Sequence, residues 1–290
     1  MKKIFAATLI LALASSAVYA QKLSTGFTSA DAVTLSGGTP QENTAFQSKM
    51  RAAMRHILSV PAIAEMTGYK FKLYARYFSS WGGPNSLTKG LREVEGMVGV
   101  TRIGGAGDLP NIKLYFNSPI LLPSAEWAGE PNVFVVRPEV LDRDGIGHVT
   151  EGKRLRVLIT KPGRPAVLPL TKAEAGAMEL AGLRRELAAK PGNSYISEKI
   201  AAVEMFLAGL SAAQKTQRAC RTSSSNPLKR YECSSEPPIV LARLNPAYLA
   251  GASKTSVRSI TVSLDHTSRT DILSAAMEEV DMEALQTLID

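Results

Sequence analysis

"YKFKLYARYF", residues 69–78, alternates almost without a break. Tyr69, Phe71, Leu73, Ala75 and Tyr77 fall on one side, and Lys70, Lys72, Tyr74 and Arg76 on the other. Successive side chains of a strand point to opposite faces of its sheet, so this period of two predicts a half-buried strand with a basic, aromatic outer face. The same reading extends outward along the chain. "LREVEGMVGVTRI" (91–103), "NIKLYFN" (111–117), "NVFVVRP" (132–138) and "HVTEGKRLRVLIT" (148–160) each predict a strand. "KPGR" (161–164) then puts proline second and glycine third in a four-residue turn, the pattern of a type II turn. "PAVLPL" (165–170) carries two prolines, which restricts it to an edge strand or irregular chain.

Helical patterns flank this strand-rich middle. In "TPQEN" (39–43), Thr39 suits the N-cap, Pro40 the first helical position and Glu42 the reciprocal capping-box position. Phe46, Met50, Ala53, Met54 and Ile57 follow at helical spacing, predicting a helix over 40–58 that ends before Pro61. "TKAE" (171–174) repeats the capping box, with a predicted stripe of Ala173, Ala177, Leu180, Ala181 and Leu187. "KPGNS" (190–194) breaks that helix, and Ile196, Ile200, Val203, Leu207 and Leu210 carry the next. So short a break predicts an antiparallel helical hairpin. Two more strands, near 239–244 and 256–264, precede a last helix opened by Ser268 and Asp271. Strands on both sides of the hairpin predict that the last pair rejoins the first sheet. With no internal repeat and no βαβ alternation, the expected class is α+β: a mostly antiparallel sheet packed by an N-terminal helix, a helical hairpin and a C-terminal helix. The expected organisation is a flexible N-terminal arm over 21–38 and a single domain over 39–290.

The first twenty residues, "MKKIFAATLILALASSAVYA", place two lysines before an apolar run of about a dozen residues and end in small residues. That is the pattern of a cleaved signal peptide, 1–20, leaving Gln21 first. No cysteine stands at the junction, which argues against a lipid anchor. The expected destination is the periplasm or the medium, as a soluble chain. A hydrophobic content of 45% argues for a packed core over disorder. The net charge of +8 loses only the two charges of Lys2 and Lys3 on cleavage, so the mature chain stays basic. A basic balance favours anionic partners, which outside the cytoplasm are phospholipid, lipopolysaccharide and acidic polymers.

Few residues carry chemistry. Cys220 and Cys233 are the only cysteines, and in an exported chain they are expected to pair and pin the Ser- and Pro-rich segment 217–238. His56, His148 and His266 lack metal-binding spacing, and no metal site or cofactor is expected. "DRDGIGHVTE" (142–151) sets Asp142, Asp144 and Gly147 at positions one, three and six of a calcium loop, but Lys153 stands where a bidentate glutamate is needed. A strand-to-strand turn accounts for it better. Ser86 and Lys89 form an S-x-x-K, with Ser224-Asn226 and Lys254-Ser256 as faint echoes of the later motifs of penicillin-binding proteins and serine β-lactamases. The third echo lacks its glycine, and Ser86 precedes a strand-like pattern where that chemistry needs a helix start.

The remaining candidate surface is the outer side of the opening strand, Lys70, Lys72, Tyr74 and Arg76, with a second basic cluster of Arg218, Arg221, Lys229 and Arg230 expected to be solvated. The functional expectation is an exported binding protein whose basic surface meets an anionic envelope polymer, a lipid headgroup or a protein partner. The alternative is a hydrolase of cell-envelope material built on Ser86 and Lys89.

Overall fold

The computed structural model describes residues 30–77, 90–104, 111–118, 133–141, 144–151, 154–221, 230–234, 238–265 and 271–290. Its strands form two sheets. The larger contains, in spatial order, β1 (Leu35–Ser36), β2 (Tyr69–Tyr77), β3 (Val94–Arg102), β4 (Ile112–Phe116), β10 (Ser259–Asp265), β7 (Arg154–Thr160) and β6 (Ile146–Glu151). The smaller contains β5 (Val133–Val136), β9 (Val240–Leu244) and β8 (Val167–Pro169). All pairings are antiparallel except the two-residue contact of β1 with β2. The fold is α+β, as the strand and helix patterns predict.

One face of the large sheet is apolar and covered by helices. The helix α1 (Pro40–Leu58) begins with the complete Thr39–Glu42 capping box and buries Phe46, Met50, Ala53, Met54 and Ile57. These meet Val98, Leu114 and Val262 from the sheet and Leu273, Met277 and Leu285 from two C-terminal helices. Gly96 lets α1 approach, since a side chain there would run into Met50 and Met54. Pro61 does not simply end α1; it occupies the first turn of a short helix, α2 (Pro61–Ala64), as its fixed φ permits. Within the segment read as a flexible arm, Ala30, Val33 and Leu35 are buried, and Arg51 Nε donates to the Val33 carbonyl at 2.9 Å.

The small sheet stacks on the β6–β7 end of the opposite face. Phe134, Val136, Val240 and Ala242 pack there on Val149 and Leu158. Alternate residues of the same strands, Val133 and Leu241, point away toward the helical hairpin. That hairpin pairs α4 (Lys172–Ala189) with α5 (Ser194–Gly209). Helices, large sheet, small sheet and hairpin therefore succeed one another as layers.

Several sequence expectations need correction. Residues 148–160 form two strands, β6 and β7, paired as a hairpin around positions 152–153. The last two strands divide: β10 enters the centre of the large sheet, whereas β9 forms the middle of the small one. The segment 165–170, by contrast, contributes β8, an edge strand, as its two prolines predict. The buried side of α4 is Lys172, Ala175, Gly176, Glu179, Gly182 and Leu183; of the expected stripe Leu180 and Leu187 pack half-buried into the hairpin, while Ala177 and Ala181 are exposed. Small residues do the packing because α5 approaches closely: a side chain at Gly176 would meet Leu207 Cδ2 at 2.7 Å. The turn before β6 follows a helical turn, α3 (Pro138–Leu141), and Gly145 supplies its positive φ of 82°. The short helices α6 (Ala212–Lys215) and α7 (Pro246–Leu249) link larger elements, and α8 (Asp271–Glu279) and α9 (Met282–Gln286) close the chain. Asp271 stands at the predicted helix start, while Ser268 lies outside the described residues. No helix among the described residues is long and apolar enough to cross a membrane.

Candidate functional site

The β2 side chains divide as their period requires. Phe71 and Ala75 are buried toward α1, Lys70, Lys72 and Arg76 are exposed, and Tyr74 is half-buried. Register then extends this outer face across the large sheet. One row runs Arg76, Glu95, Tyr115, Thr261 and Leu158. The next runs Tyr74, Met97, Lys113, Ser263, Arg156 and Val149. Beyond them Lys72 faces Gly99 and Lys70 faces Thr101. On the other strands every second residue points into the helix-covered core. The polar rows are thus the sheet's second face.

The charges on this face are not equivalent. Glu95 is 3% exposed and accepts from Arg76 at 2.6 Å. Arg76 lies 5.8 Å from the centre of the Tyr74 ring. Burial, and then the Glu95 charge, raise the Tyr74 hydroxyl above its ordinary pKa, while Arg76 opposes them. The bond to Glu95 likewise raises Arg76. Arg76 is therefore compensated, and Lys70 and Lys72 are the exposed cations of β2. Lys113 and Arg156 flank Ser263 on neighbouring strands. Arg154 is placed differently, with Asp265 and Glu151 at the register positions on either side. Thr261 is fully buried, and its Oγ1 meets no hydrogen-bond partner among the described residues.

The far end of the same face is fastened shut. Asn117, at a φ of 59°, donates to the Arg92 and Ser256 carbonyls at 2.9 Å each and accepts from the Arg258 N–H at 2.7 Å. The Tyr248 hydroxyl donates to Ser259 Oγ at 3.0 Å, and burial pushes its pKa up to about 12. At the start of α1, Glu42 accepts from Arg92 at 2.9 Å and is held down to about 2 chiefly by that bond. These contacts join chain segments and leave their polar groups occupied.

Cys220 and Cys233 are joined, with 4.9 Å between their Cα atoms. The bridge holds Arg230 and Tyr231 against α4. Arg230 donates twice to Glu179, at 2.9 and 2.7 Å, and the Tyr231 hydroxyl donates to the same carboxylate. Tyr231 also stands edge-on to Phe206, 5.4 Å between ring centres. Burial pushes the Tyr231 hydroxyl far up, and the Glu179 charge adds to it. Arg230 is consequently half-buried and paired, contrary to the expectation of a solvated charge, while Arg218 and Arg221 are exposed. Lys229 lies outside the described residues.

Ser86, Lys89, Ser224, Asn226, Asp142, Lys153 and His266 lie outside the described residues, as does the segment 1–20. Lys254 is exposed, and Ser256 bonds its neighbour Ser253. His148 is exposed on β6, and His56 lies in the last turn of α1, where a cation suits the helix dipole. Among the described residues no three His, Cys, Asp or Glu side chains gather as a metal site. A depression lined by Val140, Leu158, Thr160 and Ala166 has room for about one water molecule.

No family model matches this chain, no curated protein matches it, and no solved structure matches it. Sequence reasoning named the β2 portion of the polar face and missed Glu95, Lys113, Tyr115, Arg156, Thr261 and Ser263. Their signal was present as alternation within each strand; what sequence lacked was the order in which the strands pair.

Proposed function

We propose that the chain is an exported binding protein that presents the outer face of its large sheet to an anionic component of the cell envelope. The observation carrying this reading is the register that gathers Lys70, Lys72, Lys113 and Arg156 on one face, with Arg76 neutralised by Glu95. Cations held on a rigid sheet keep their spacing, so an anionic polymer or headgroup layer meets a fixed array. The Cys220–Cys233 bridge suits an oxidising compartment, and the first twenty residues supply the route there. The site offers charge and hydrogen bonds and assigns no group to bond-breaking.

The test is the double variant Lys70→Glu/Lys72→Glu. Arg76 is left alone, because a carboxylate there would face buried Glu95. Retention on lipopolysaccharide or on vesicles rich in phosphatidylglycerol should fall several-fold and lose its steep decline with salt, screening acting within about 8 Å at physiological ionic strength. Stability should change by no more than about 0.5 kcal/mol, since both side chains are exposed. Unchanged retention with an unchanged salt slope would reject the reading.

A further inference from the structure

The two most exposed large apolar side chains among the described residues are Tyr195 and Met205, at 63% and 57%, and both stand on α5. Single exposed apolar residues are ordinary on a protein surface. These two belong to one row. Tyr195, Glu198, Ala202, Met205 and Gly209 follow one another at alternating steps of three and four residues, the spacing that aligns side chains along one side of a helix. The opposite side of α5 is already occupied. Ile196 and Val203 pack with Leu183 of α4, and Phe206 packs with Val133 and Leu241 of the small sheet. Glu204 is committed as well, to Arg184 of α4 at 2.7 Å. The row itself is exposed apart from half-buried Ala202. Lys199, beside it, holds its Nζ 4.3 Å from the centre of the Tyr195 ring. One exposed acid, Glu198, and one exposed base, Lys199, therefore lie between the two large apolar residues.

We infer that this row of α5 is the surface by which a second copy of the chain pairs with the first, helix against helix and antiparallel about a two-fold axis. In such a contact every pairing occurs twice. With the axis midway between Tyr195 and Met205, each Tyr195 meets Met205 of the other copy, a thioether against an aromatic ring at both ends. Glu198 then faces the other copy's Ala202, whose small side chain leaves the carboxylate room to reach the other copy's Lys199. Two carboxylates and two ammonium groups compensate one another around the axis. A wholly acidic or wholly basic partner would set one of the two charges against its like, whereas a copy of the chain supplies both signs in the required order. A helix of 16 residues is about 24 Å long and about 10 Å across, so the pair buries much less than the roughly 1,200 Å² of a stable interface. The dimer is accordingly weak and reversible. It shares no residue with the proposed anion-binding face, and the two readings stand or fall separately.

Sedimentation velocity of the mature protein, with its disulfide intact, tests this over concentrations from about 10 μM to about 1 mM. The parent should pass from monomer toward dimer across that range, with a Kd on the order of 0.1–1 mM, as a small interface implies. Met205→Glu, at an exposed position, should weaken the dimer at least about tenfold by putting a charge against the tyrosine ring. Glu198→Lys gathers four lysines around the axis and Lys199→Glu four glutamates, so each alone should weaken it comparably. The double exchange Glu198→Lys/Lys199→Glu restores both signs and should return the dimer to within about threefold of the parent. That recovery is a result a contact elsewhere on the surface would not give. A parent that stays monomeric at the highest concentration, a dimer indifferent to Met205→Glu, or a double exchange as weak as its single members would overturn the inference. Binding of a monomeric parent to phosphatidylcholine vesicles that Met205→Glu abolishes would also overturn it, and would assign the row to a lipid surface.

Discussion

Two groups of polar side chains lie partly buried in this molecule, and they are completed differently. Around Glu179, two Arg230 donors and the Tyr231 hydroxyl converge on one carboxylate, and the disulfide fixes the segment that carries them. On the outer face of the large sheet, Lys113 and Arg156 stand across a serine, and Thr261 keeps a buried hydroxyl with no partner among the described residues. Arginine and hydroxyl groups occur in both. In the first they join a loop to a helix; in the second they stand on neighbouring strands of one sheet face. Burying polar groups is costly unless they are paired, so the Glu179 cluster reads as structure, whereas the Thr261 hydroxyl meets no partner among the described residues.

The largest expected effect tests the first half of that contrast. Glu179→Ala would leave Arg230 partly buried without its carboxylate and Tyr231 without its acceptor. Removing one member of a buried ion pair typically costs 3–5 kcal/mol, and the side-chain exposures of 24% for Arg230 and 11% for Glu179 place this case near the lower end, about 3 kcal/mol. Urea unfolding at neutral pH measures it. A loss below about 1 kcal/mol would show that the loop is held by its disulfide and apolar contacts alone, and the two clusters would no longer differ in kind.

A smaller effect sharpens the contrast through pH. Glu42 is a satisfied carboxylate of the same sort, held down to about 2 by its bond to Arg92 and by the helix cap. Its folded value lies below its ordinary value of 4.5, so its contribution to stability is complete above about pH 4.5 and is lost as pH falls through about 2. Arg92→Met removes the largest cause of that depression. The melting temperatures of parent and variant should differ most above pH 4.5 and converge as pH approaches 2. A gap constant across that range would mean that Arg92 acts by packing on Tyr77, over whose ring it lies at 5.8 Å.

The two clusters were also unequally legible in the sequence. Period-two alternation marks each strand of the large sheet, so the polar side of every one was readable; "KFKLYAR" (70–76) and "SITVSLD" (259–265) show it plainly. Pairing was not. β10 lies more than a hundred residues from β4 in sequence, and nothing local tells a strand which neighbour it will meet. The site therefore remained a single strand until register joined Lys113, Ser263 and Arg156. The disulfide was legible because only two cysteines exist, but the Glu179 cluster was hidden inside a helix rich in alanine and glycine, where apolar periodicity is faint. Arg230 looked solvated because its acid lies 51 residues away. The capping boxes at Thr39 and Thr171 were the most transparent features, since their spacing is local and their chemistry is reciprocal.

The smallest expected effect falls on the second cluster and bears most directly on the contrast. Thr261 is fully buried in β10, between Tyr115 on β4 and Leu158 on β7. Thr261→Val exchanges its hydroxyl for a methyl group of nearly the same shape and keeps the β-branched side chain that a strand accommodates well. A buried hydroxyl without a partner opposes folding, so its removal should leave the ligand-free protein as stable as the parent or raise its stability by up to about 1 kcal/mol. Urea unfolding of parent and variant measures the difference. A variant destabilised by more than about 1 kcal/mol would show that the Thr261 hydroxyl already has a partner within the chain, and the outer face would then resemble the Glu179 cluster in being complete.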